Sequence, residues 1–458
     1  MRDSVILMVE IDADTLELSS SRSSPLTLLT LRQHVLTILK SGIAGADPRK
    51  LVENALADGV LSGVPDDGKL IVIAAGKASA AMTSAFVSAM KKPVRGLIAS
   101  PQAGRRIEGM EWFDVGHPIP TGDSVKAGVR ALELASEVKE GDIFVVLLSG
   151  GASAGLTVPV EGVSLDDKVR VTQLLLESGI SIDGLNCVRK HLSAIKGGRL
   201  SIAAAGRCIT LAISDVVNPV PDDPAVIGSG PTAGDPSTYA EALRHLHSCG
   251  RMTSFPGGVV SLLERGANGE LEETLKPSDR LLTRSKYCII GSRLNAMKAA
   301  ADEARRLGFH TLVVEEPVTG EARVAGDAYV KLLARLSHDQ PRPLCVVSAG
   351  ETTVKVKGVG RGGRNQEFAL AGAVSLFRRF PLAVIASVGN DGIYGPTNAA
   401  GAIIDTTTPS RAAAAGLERP EHYLSANNSY AFFDGLGDLL HTGASDTNVG
   451  DLQIALIA

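Results

Sequence analysis

Polar motifs follow several apolar runs of this sequence, where their side chains could carry out chemistry. Gly76-Lys77 ends the run KLIVIAAG and precedes an alanine-rich segment typical of a helix start. A lysine beside the unpaired amides of a helix N-terminus can bind a phosphate, although the full P-loop pattern GxxxxGK[ST] is absent. A solvated lysine in an ordinary strand-to-helix loop is the alternative interpretation.

A serine- and glycine-rich turn follows the apolar run DIFVVLL. Consecutive amides in such a turn can cradle an anion. We therefore predict four phosphate-binding residues here: Ser149, Gly150, Gly151 and Ser153. A nucleophilic serine would need a GxSxG turn with a paired His and Asp, and neither is evident. An ordinary glycine turn would explain the spacing equally well.

Basic residues recur in NCVRKHLSAIKGGRL (186–200). On one continuous helix, Arg189, Ser193, Lys196 and Leu200 would fall on a single face. That face would either lie in solvent, which the charges alone favour, or present Arg189 and Lys196 to an anionic substrate.

Carboxylates end two of the apolar strand patterns. Asp215 lies where a charge is costly to bury without a partner, and a metal ion or a substrate hydroxyl would serve. Asp391, followed by Gly392, suits a magnesium ligand or an Asx-turn that needs no ligand. Glu351 and Glu367 add two carboxylates in the neighbouring segments of the sequence. Magnesium held by one or two carboxylates plus phosphate oxygens fits this set.

The segment VKVKGVGRGGRNQEFAL (354–370) passes from strand-like alternation through four glycines and two arginines into a helical pattern. It is either a flexible turn or an anion-binding loop. We predict the loop, with Gly362 and Gly363 letting the backbone approach the ligand and Arg364 contacting substrate or phosphate. Arg361 is expected to steer the ligand or to face solvent.

The elements that must position these residues alternate between strand and helix patterns, which predicts parallel sheets covered by helices. Eight runs are clear strand candidates: 69–76, 96–101, 142–151, 208–216, 286–292, 310–316, 343–350 and 382–391. A turn-rich segment, 248–280, is where we place a domain boundary.

Composition excludes several classes of function. The net charge of −4 and the aromatic content of 4% do not favour a nucleic-acid partner. No apolar run reaches the ~18 residues of a membrane helix, and five scattered cysteines indicate a reducing compartment. We expect a cytoplasmic protein without a membrane partner, and the oligomeric state stays open, with a homodimer as one option.

Nine short motifs occur in an order that resembles the glycerate 2-kinases of the MOFRL type, also known in places as hydroxypyruvate reductases. The resemblance runs from about Leu31 to the C-terminus. The motifs are GKAS (76–79), GHPIP (116–120), LSGGASA (148–154), NCVRKHLSAIKGGRL, SDV…IGSGPT (214–232), GETTV (350–354), GRGGRNQE (360–367), NDG…GPTNAAGA (390–402) and TNVGDL (447–452).

This resemblance implies an ATP- and Mg²⁺-dependent kinase that phosphorylates the 2-hydroxyl of D-glycerate. It also implies two α/β domains with the active site in their cleft. We place a larger Rossmann-like, doubly wound domain at 27–265 and a smaller C-terminal MOFRL domain at 280–458, after a polar extension at 1–26.

The resemblance also implies residue roles. The lysine of GKAS and the second arginine of GRGGRNQE are proposed active-site residues of the family, and they fall on Lys77 and Arg364. Asp215 or Asp391 would hold magnesium or orient the substrate hydroxyl. Arg189 and Lys196 would then bind substrate or phosphate in the cleft, beside the serine–glycine turn.

The sequence departs from the family pattern in three places, and the loss of two carboxylates among them reduces the expected cation-binding capacity. Tyr394 and Asn398 stand where acidic residues are expected, Asp446 is introduced, and the turn VNPVPDDP (217–224) is longer than expected. A related hydroxy acid as substrate, or weakened activity, is the alternative they raise. Two rival functions also stay open: an NAD(P)H-dependent hydroxypyruvate reductase and a non-catalytic sugar-phosphate sensor.

Overall fold

The computed structural model describes residues 26–458 apart from 64–67, 103, 105, 393–396 and 444. The strands are β1 Leu70–Ala75, β2 Val94–Ser100, β3 Met110–Asp114, β4 Ile143–Leu148, β5 Arg207–Ile213, β6 Ser285–Gly291, β7 His310–Glu321, β8 Leu344–Thr353, β9 Ala383–Gly389, β10 Gly401–Asp405, β11 Leu439–Leu440 and β12 Asp451–Ile457. The helices are α1 Leu28–Gly45, α2 Pro48–Ala57, α3 Ser79–Ala89, α4 Gly122–Ser136, α5 Ala152–Gly155, α6 Leu165–Glu177, α7 Ile182–His191, α8 Arg199–Ile202, α9 Tyr239–Ser248, α10 Gly257–Ala267, α11 Arg293–Arg306, α12 Ala322–Leu336, α13 Arg364–Arg379, α14 Thr408–Ala414, α15 Pro420–Ser425 and α16 Ser429–Leu436.

The first sheet has the strand order β3-β2-β1-β4-β5-β6, and all its pairs are parallel. This is the order of a Rossmann-like doubly wound sheet. Successive residues of β1 belong to opposite cores, with Val72 in one apolar cluster and Ile71 in the other. Because helices cover both faces, the strands read as continuous apolar runs, and the predicted α/β class is confirmed.

The second sheet has the order β11-β10-β9-β12-β8-β7 and is mixed. Only β7 and β8 pair in parallel, and the other pairs are antiparallel. The expectation of a parallel sheet was wrong for this half of the chain. Helices α12 and α13 cover one face and α1 and α11 the other. A strand covered on both faces is apolar throughout in either direction, so its sequence does not report its direction.

Sheet membership crosses the predicted domain division at two segments. Helix α1 packs on the second sheet, where Leu31, Val35 and Ile38 share a buried cluster with residues of β12. Strand β6, which follows the predicted boundary, forms an edge of the first sheet. The domain limits themselves stay a prediction. No helix among the described residues has the length and apolar character needed to cross a bilayer.

Ion pairs also hold helix α1 against the second sheet and its helices. Arg32 donates to Asp405 and to Asp438, both at 2.5 Å, and Arg411 pairs with the same two carboxylates. Both aspartates are almost fully buried, with 1% and 2% of the side chain exposed. Buried carboxylates need such partners, since an unpaired one carries a large desolvation cost.

Replacing Arg32 with alanine should therefore destabilise the protein by about 1–3 kcal/mol. The loss stays below that of a fully unpaired site because Arg411 remains beside both carboxylates. Urea-induced unfolding measures the change, with exposed Lys40→Ala on the same helix as the matched control. Equal stability of the Arg32→Ala and Lys40→Ala variants would contradict this account of how α1 is held.

Candidate active site

The first sheet changes its winding direction between β1 and β4, which are neighbours although the chain leaves them toward opposite edges. Ligands of doubly wound sheets bind at this point, beyond the carboxyl ends of the strands. Lys77 follows β1 and the turn Ser149–Gly151 follows β4, so both predicted phosphate motifs lie at this position.

The two motifs are joined through Ser149. Its buried Oγ accepts a hydrogen bond from the Ala78 amide at 3.0 Å, and the Lys77 amide donates to the Gly150 carbonyl at 2.9 Å. Gly76 has φ = +111°, and a Cβ there would lie 2.4 Å from the Ser149 Oγ. Only glycine fits this close approach. Ser149 thus fixes the loop that carries Lys77.

The glycine turn leaves amides available for an anion. The Ser149 amide donates to Ala75, but the amides of Gly150 and Gly151 meet no acceptor among the residues that the structure describes. Gly151 has φ = +89°, in the left-handed region. Ser153 is placed by a hydrogen bond of 2.8 Å between its Oγ and that of Ser229. The geometry is that of an anion-binding nest.

The second sheet contributes an arginine held between carboxylates. Arg364, the first residue of α13, donates from Nε to Asp451 at 2.8 Å and from a terminal nitrogen to Glu351 at 2.6 Å. Asp451 opens β12 between Gly350 of β8 and Gly389 of β9 and is fully buried. Asp451 is not among the site residues predicted from the sequence, although the TNVGDL motif contains it.

The glycines before Arg364 pack against residues 426–429, and two of them also line a cavity. A Cβ at Gly358, Gly360 or Gly362 would lie 2.2–2.4 Å from atoms of residues 426–429. Gly362 and Gly363 also line a cavity of about 430 Å³ beside Arg364. Arg361 is exposed and stacks its guanidinium over the Tyr430 ring at 5.0 Å.

Two contacts join the sheets across the cleft. Lys77 Nζ lies 3.1 Å from an oxygen of Asp391, which follows β9. Asn448 Nδ2 donates to an oxygen of Asp215, which follows β5, at 2.8 Å. The four predicted catalytic residues, Lys77, Asp215, Arg364 and Asp391, therefore lie around one interface between the two sheets.

Burial raises the pKa of two carboxyl groups at this interface. Burial, reinforced by the nearby Glu351, raises the pKa of Asp215 to about 6, while Lys77 and Arg364 oppose the shift. Burial also raises the pKa of Asp451 to about 6, although Arg364 and Asn365 stabilise its charged form. In both carboxylates, burial therefore favours the neutral form or a nearby cation.

The interface encloses a cleft of about 460 Å³. Of the predicted site residues, its lining includes Gly150, Gly151, Ser153, Arg189, Asp215 and Arg364, together with Glu351 and Thr352. A smaller cavity of about 190 Å³ adjoins it and is lined in part by Lys196.

The predicted continuous helix through 186–200 was wrong. Helix α7 ends at His191, and the chain then turns through Gly197 and Gly198, which have φ values of +59° and +82°. Lys196 lies in this turn, where its Nζ donates to the carbonyls of Ser153, Leu156 and Gly228 at 2.8–3.2 Å. It therefore ties the serine–glycine turn to its neighbours, while Arg189 stays on α7.

The departures from the family pattern have different surroundings. Tyr394 lies outside the described residues. The Asn398 Oδ1 accepts from the Tyr430 hydroxyl at 2.9 Å, and the exposed Asp446 pairs with Arg49 at 3.1 Å. The described residues contain no cluster of three or more His, Cys, Asp or Glu side chains arranged for a metal. Magnesium held by one or two carboxylates and phosphate oxygens does not require such a cluster.

Comparison with known proteins gives a consistent result. The family described as "Domain of unknown function (DUF4147)" matches residues 34–264, and the MOFRL family matches residues 344–451. A glycerate 2-kinase of Pyrococcus horikoshii is 36% identical over 94% of this chain and 98% of its own length. These matches confirm the resemblance inferred from the ordered motifs.

A solved structure and a differently named relative complete the comparison. The crystal structure of a glycerate kinase from Thermotoga maritima superposes with a TM-score of 0.82 at 34% identity, covering 94% of this chain and all of that one. A putative hydroxypyruvate reductase of Agrobacterium vitis is 35% identical, over 94% of this chain and 95% of its own.

The raised pKa of Asp215 makes a prediction about stability. The folded state favours the neutral form of the Asp215 carboxyl. The free energy of unfolding therefore decreases as pH rises from about 4 through about 6 and this carboxyl ionises. Asp215→Asn should raise the melting temperature by roughly 1–3 °C at pH 8, with a smaller gain at pH 5. Differential scanning fluorimetry measures this, with exposed Asp339→Asn as the control. An equal gain at both pH values would refute it.

Proposed function

The chain belongs to the glycerate 2-kinase family, and from that premise we propose that it transfers the γ-phosphoryl group of ATP to the 2-hydroxyl of D-glycerate. The products are 2-phosphoglycerate and ADP. The observation that carries the proposal is the interface between the two sheets, where Asp215 and Arg364 line the cleft and the ion pair of Lys77 with Asp391 joins the sheets. Phosphoryl transfer depends on positioning and on charge stabilisation, which this set supplies.

The phosphates are assigned to the switch point of the first sheet. Gly150 and Gly151 line the cleft, and a Cβ at Gly151 would lie 3.6 Å from Lys77 Cγ. A mobile ammonium group can follow negative charge as it moves to the transferring oxygens. ATP phosphates would compete with Asp391 for Lys77, since the two are paired at 3.1 Å.

Asp215 is the proposed acceptor of the proton of the substrate hydroxyl. Its pKa of about 6 leaves it ionised at neutral pH yet basic enough to share a proton in the transition state. Asp391 would hold magnesium, which would neutralise charge on the transferring phosphoryl group. Arg364 is fixed by Asp451 and Glu351, so it presents its charge at a defined place in the cleft.

The reductase alternative lacks structural support. Its one candidate dinucleotide motif, GVGRGG (358–363), has two of its glycines closed against residues 426–428. A pyrophosphate needs that backbone to be approachable. No observation favours the sensor either.

The direct test incubates the protein with D-glycerate, ATP and Mg²⁺. ADP and 2-phosphoglycerate should form in equal amounts, measured by coupled assay and by ³¹P NMR. The matched reaction replaces D-glycerate and ATP with hydroxypyruvate and NAD(P)H. Oxidation of NAD(P)H without any ADP in the first reaction would refute the kinase.

Removing the charge of Lys77 or of Arg364 should cut turnover strongly. Lys77→Ala and Arg364→Ala should each lower kcat by roughly 100-fold or more, because each removes charge that stabilises the transition state. Exposed Lys91→Ala and Arg361→Ala are the matched controls and should stay within a few-fold of wild type.

Because Arg364→Ala also leaves Asp451 buried without its guanidinium, Arg364→Lys is measured beside it. The lysine keeps a charge next to Asp451 but loses the fork geometry. A folded Lys77→Ala or Arg364→Lys variant with wild-type kcat would rule out the role assigned to that residue.

A further inference from the structure

We propose that the smaller cavity beside the cleft binds the carboxylate of D-glycerate through Arg189 and Lys168. We call it the basic cavity, lined by His117, Pro118, Pro120, Gly151, Ser153, Ala154, Thr157, Lys168, Thr172, Arg189 and Lys196. The inference rests on the proposed kinase function and specifies how the acceptor substrate is held.

The basic cavity suits a small acid in size and position. Its volume of about 190 Å³ lies below the ~300–1,000 Å³ of typical ligand pockets. The adjoining cleft of about 460 Å³ falls within that range and can take a nucleotide. Gly151, Ser153 and Arg189 line both spaces, so the two ligands would be held side by side.

The cavity is basic without an internal counter-charge. Four of its lining side chains are His, Lys or Arg, and none is Asp or Glu. Lys196 Nζ donates to three carbonyls, whereas Lys168 Nζ donates to that of Leu192, at 2.8 Å. No hydrogen bond or ion pair joins Arg189 to any residue that the structure describes.

Burial makes this arrangement costly unless an anion binds. Lys168 is only 6% exposed, and burial together with Arg189 lowers its pKa to about 7. Burial also lowers the pKa of Arg189. Cations taken out of water without a counter-ion are unfavourable, and a bound carboxylate supplies that counter-ion.

The comparison with Arg364 decides which arginine takes the carboxylate. Arg364 is already paired with Asp451 and Glu351, so a further carboxylate would meet a neutralised group. Arg189 has no carboxylate partner among the described residues and keeps a planar fork of donors for one. The substrate acid is therefore assigned to Arg189.

The position of the basic cavity also selects the hydroxyl. A Cβ at Gly151 would lie 2.9 Å from the His117 ring and 3.6 Å from Lys77 Cγ, and one at Gly150 would lie 2.1 Å from Asp215. The entrance to the cavity thus adjoins Lys77 and Asp215. With the carboxylate inside, the neighbouring C2 hydroxyl reaches this entrance, while the C3 hydroxyl lies one bond farther away.

The test compares D-glycerate with D-glyceramide, which replaces the carboxylate with a neutral amide. Arg189→Gln and Lys168→Gln should each lower kcat/KM for D-glycerate on the order of 100-fold and change that for D-glyceramide only a few-fold. The KM for ATP should stay unchanged. Exposed Arg170→Gln, on the same helix as Lys168, is the control.

The charge of Lys168 gives a second readout. Its ammonium form declines as pH rises through about 7, so the KM for D-glycerate should rise between pH 7 and 9. The other charged or titratable groups of the cavity are His117, Arg189 and Lys196. Lys168→Gln should remove the pH dependence, whereas Arg170→Gln should keep it.

Calorimetry without nucleotide separates the inference from the kinase proposal. Wild type should bind D-glycerate, Arg189→Gln should not, and Arg189→Lys should recover part of the affinity. Binding through Arg189 without any phosphorylation would overturn the kinase proposal alone. Phosphorylation with an unchanged KM for D-glycerate in Arg189→Gln would overturn the carboxylate site alone.

Two further outcomes would also count against the carboxylate site. Equal losses on D-glycerate and D-glyceramide would assign Arg189 and Lys168 a structural role. Inorganic phosphate that binds more tightly than D-glycerate, and loses its affinity in Arg189→Gln, would identify the basic cavity as a phosphate site.

Discussion

The buried ion pair between Arg364 and Asp451 is the interaction on which the second sheet and the site residues it carries depend. Asp451 opens the central strand β12 and has no exposed surface, so its charge persists only beside the guanidinium at 2.8 Å. The same contact fixes the start of α13 and turns Arg364 toward Glu351 and the cleft. One pair thereby sets strand register, helix position and the charge presented to a ligand.

The cleft itself is made by groups from both sheets that satisfy one another. Lys77 forms an ion pair with Asp391, and Asp215 accepts a hydrogen bond from Asn448. Each sheet therefore supplies a polar partner to a residue of the other. Partners of this kind can be exchanged for ligand groups, since phosphate oxygens can replace Asp391 on Lys77 and a substrate hydroxyl can approach Asp215. Ligand affinity is then coupled to how closely the two sheets approach, as in other two-domain kinases.

Eight strands were predicted from apolar runs, and burial on both faces explains such runs in β1, β4 and β9. The predicted strands β6 and β7 are only partly buried. The sequence did not predict the partly exposed β3, the two-residue β11 or the buried strands β10 and β12. The antiparallel order of the second sheet was also missed, because it depends on pairing between distant segments. Among site residues, Lys77 and Arg364 were selected through motifs at helix starts. Asp451 and Lys168 were missed because only the tertiary structure shows a carboxylate or an ammonium group in the interior. The broken helix after His191 was signalled by two adjacent glycines.

The packing of α1 on the second sheet has a consequence for biosynthesis. Residues of α1 share their buried cluster with residues of β12, the first and last elements of the described chain. During translation the apolar face of α1 has no partner until α11 (Arg293–Arg306), which shares its buried cluster, has left the ribosome. The cluster is completed only when β12 follows, so a nascent chain exposes part of the apolar face of α1 for much of its synthesis time.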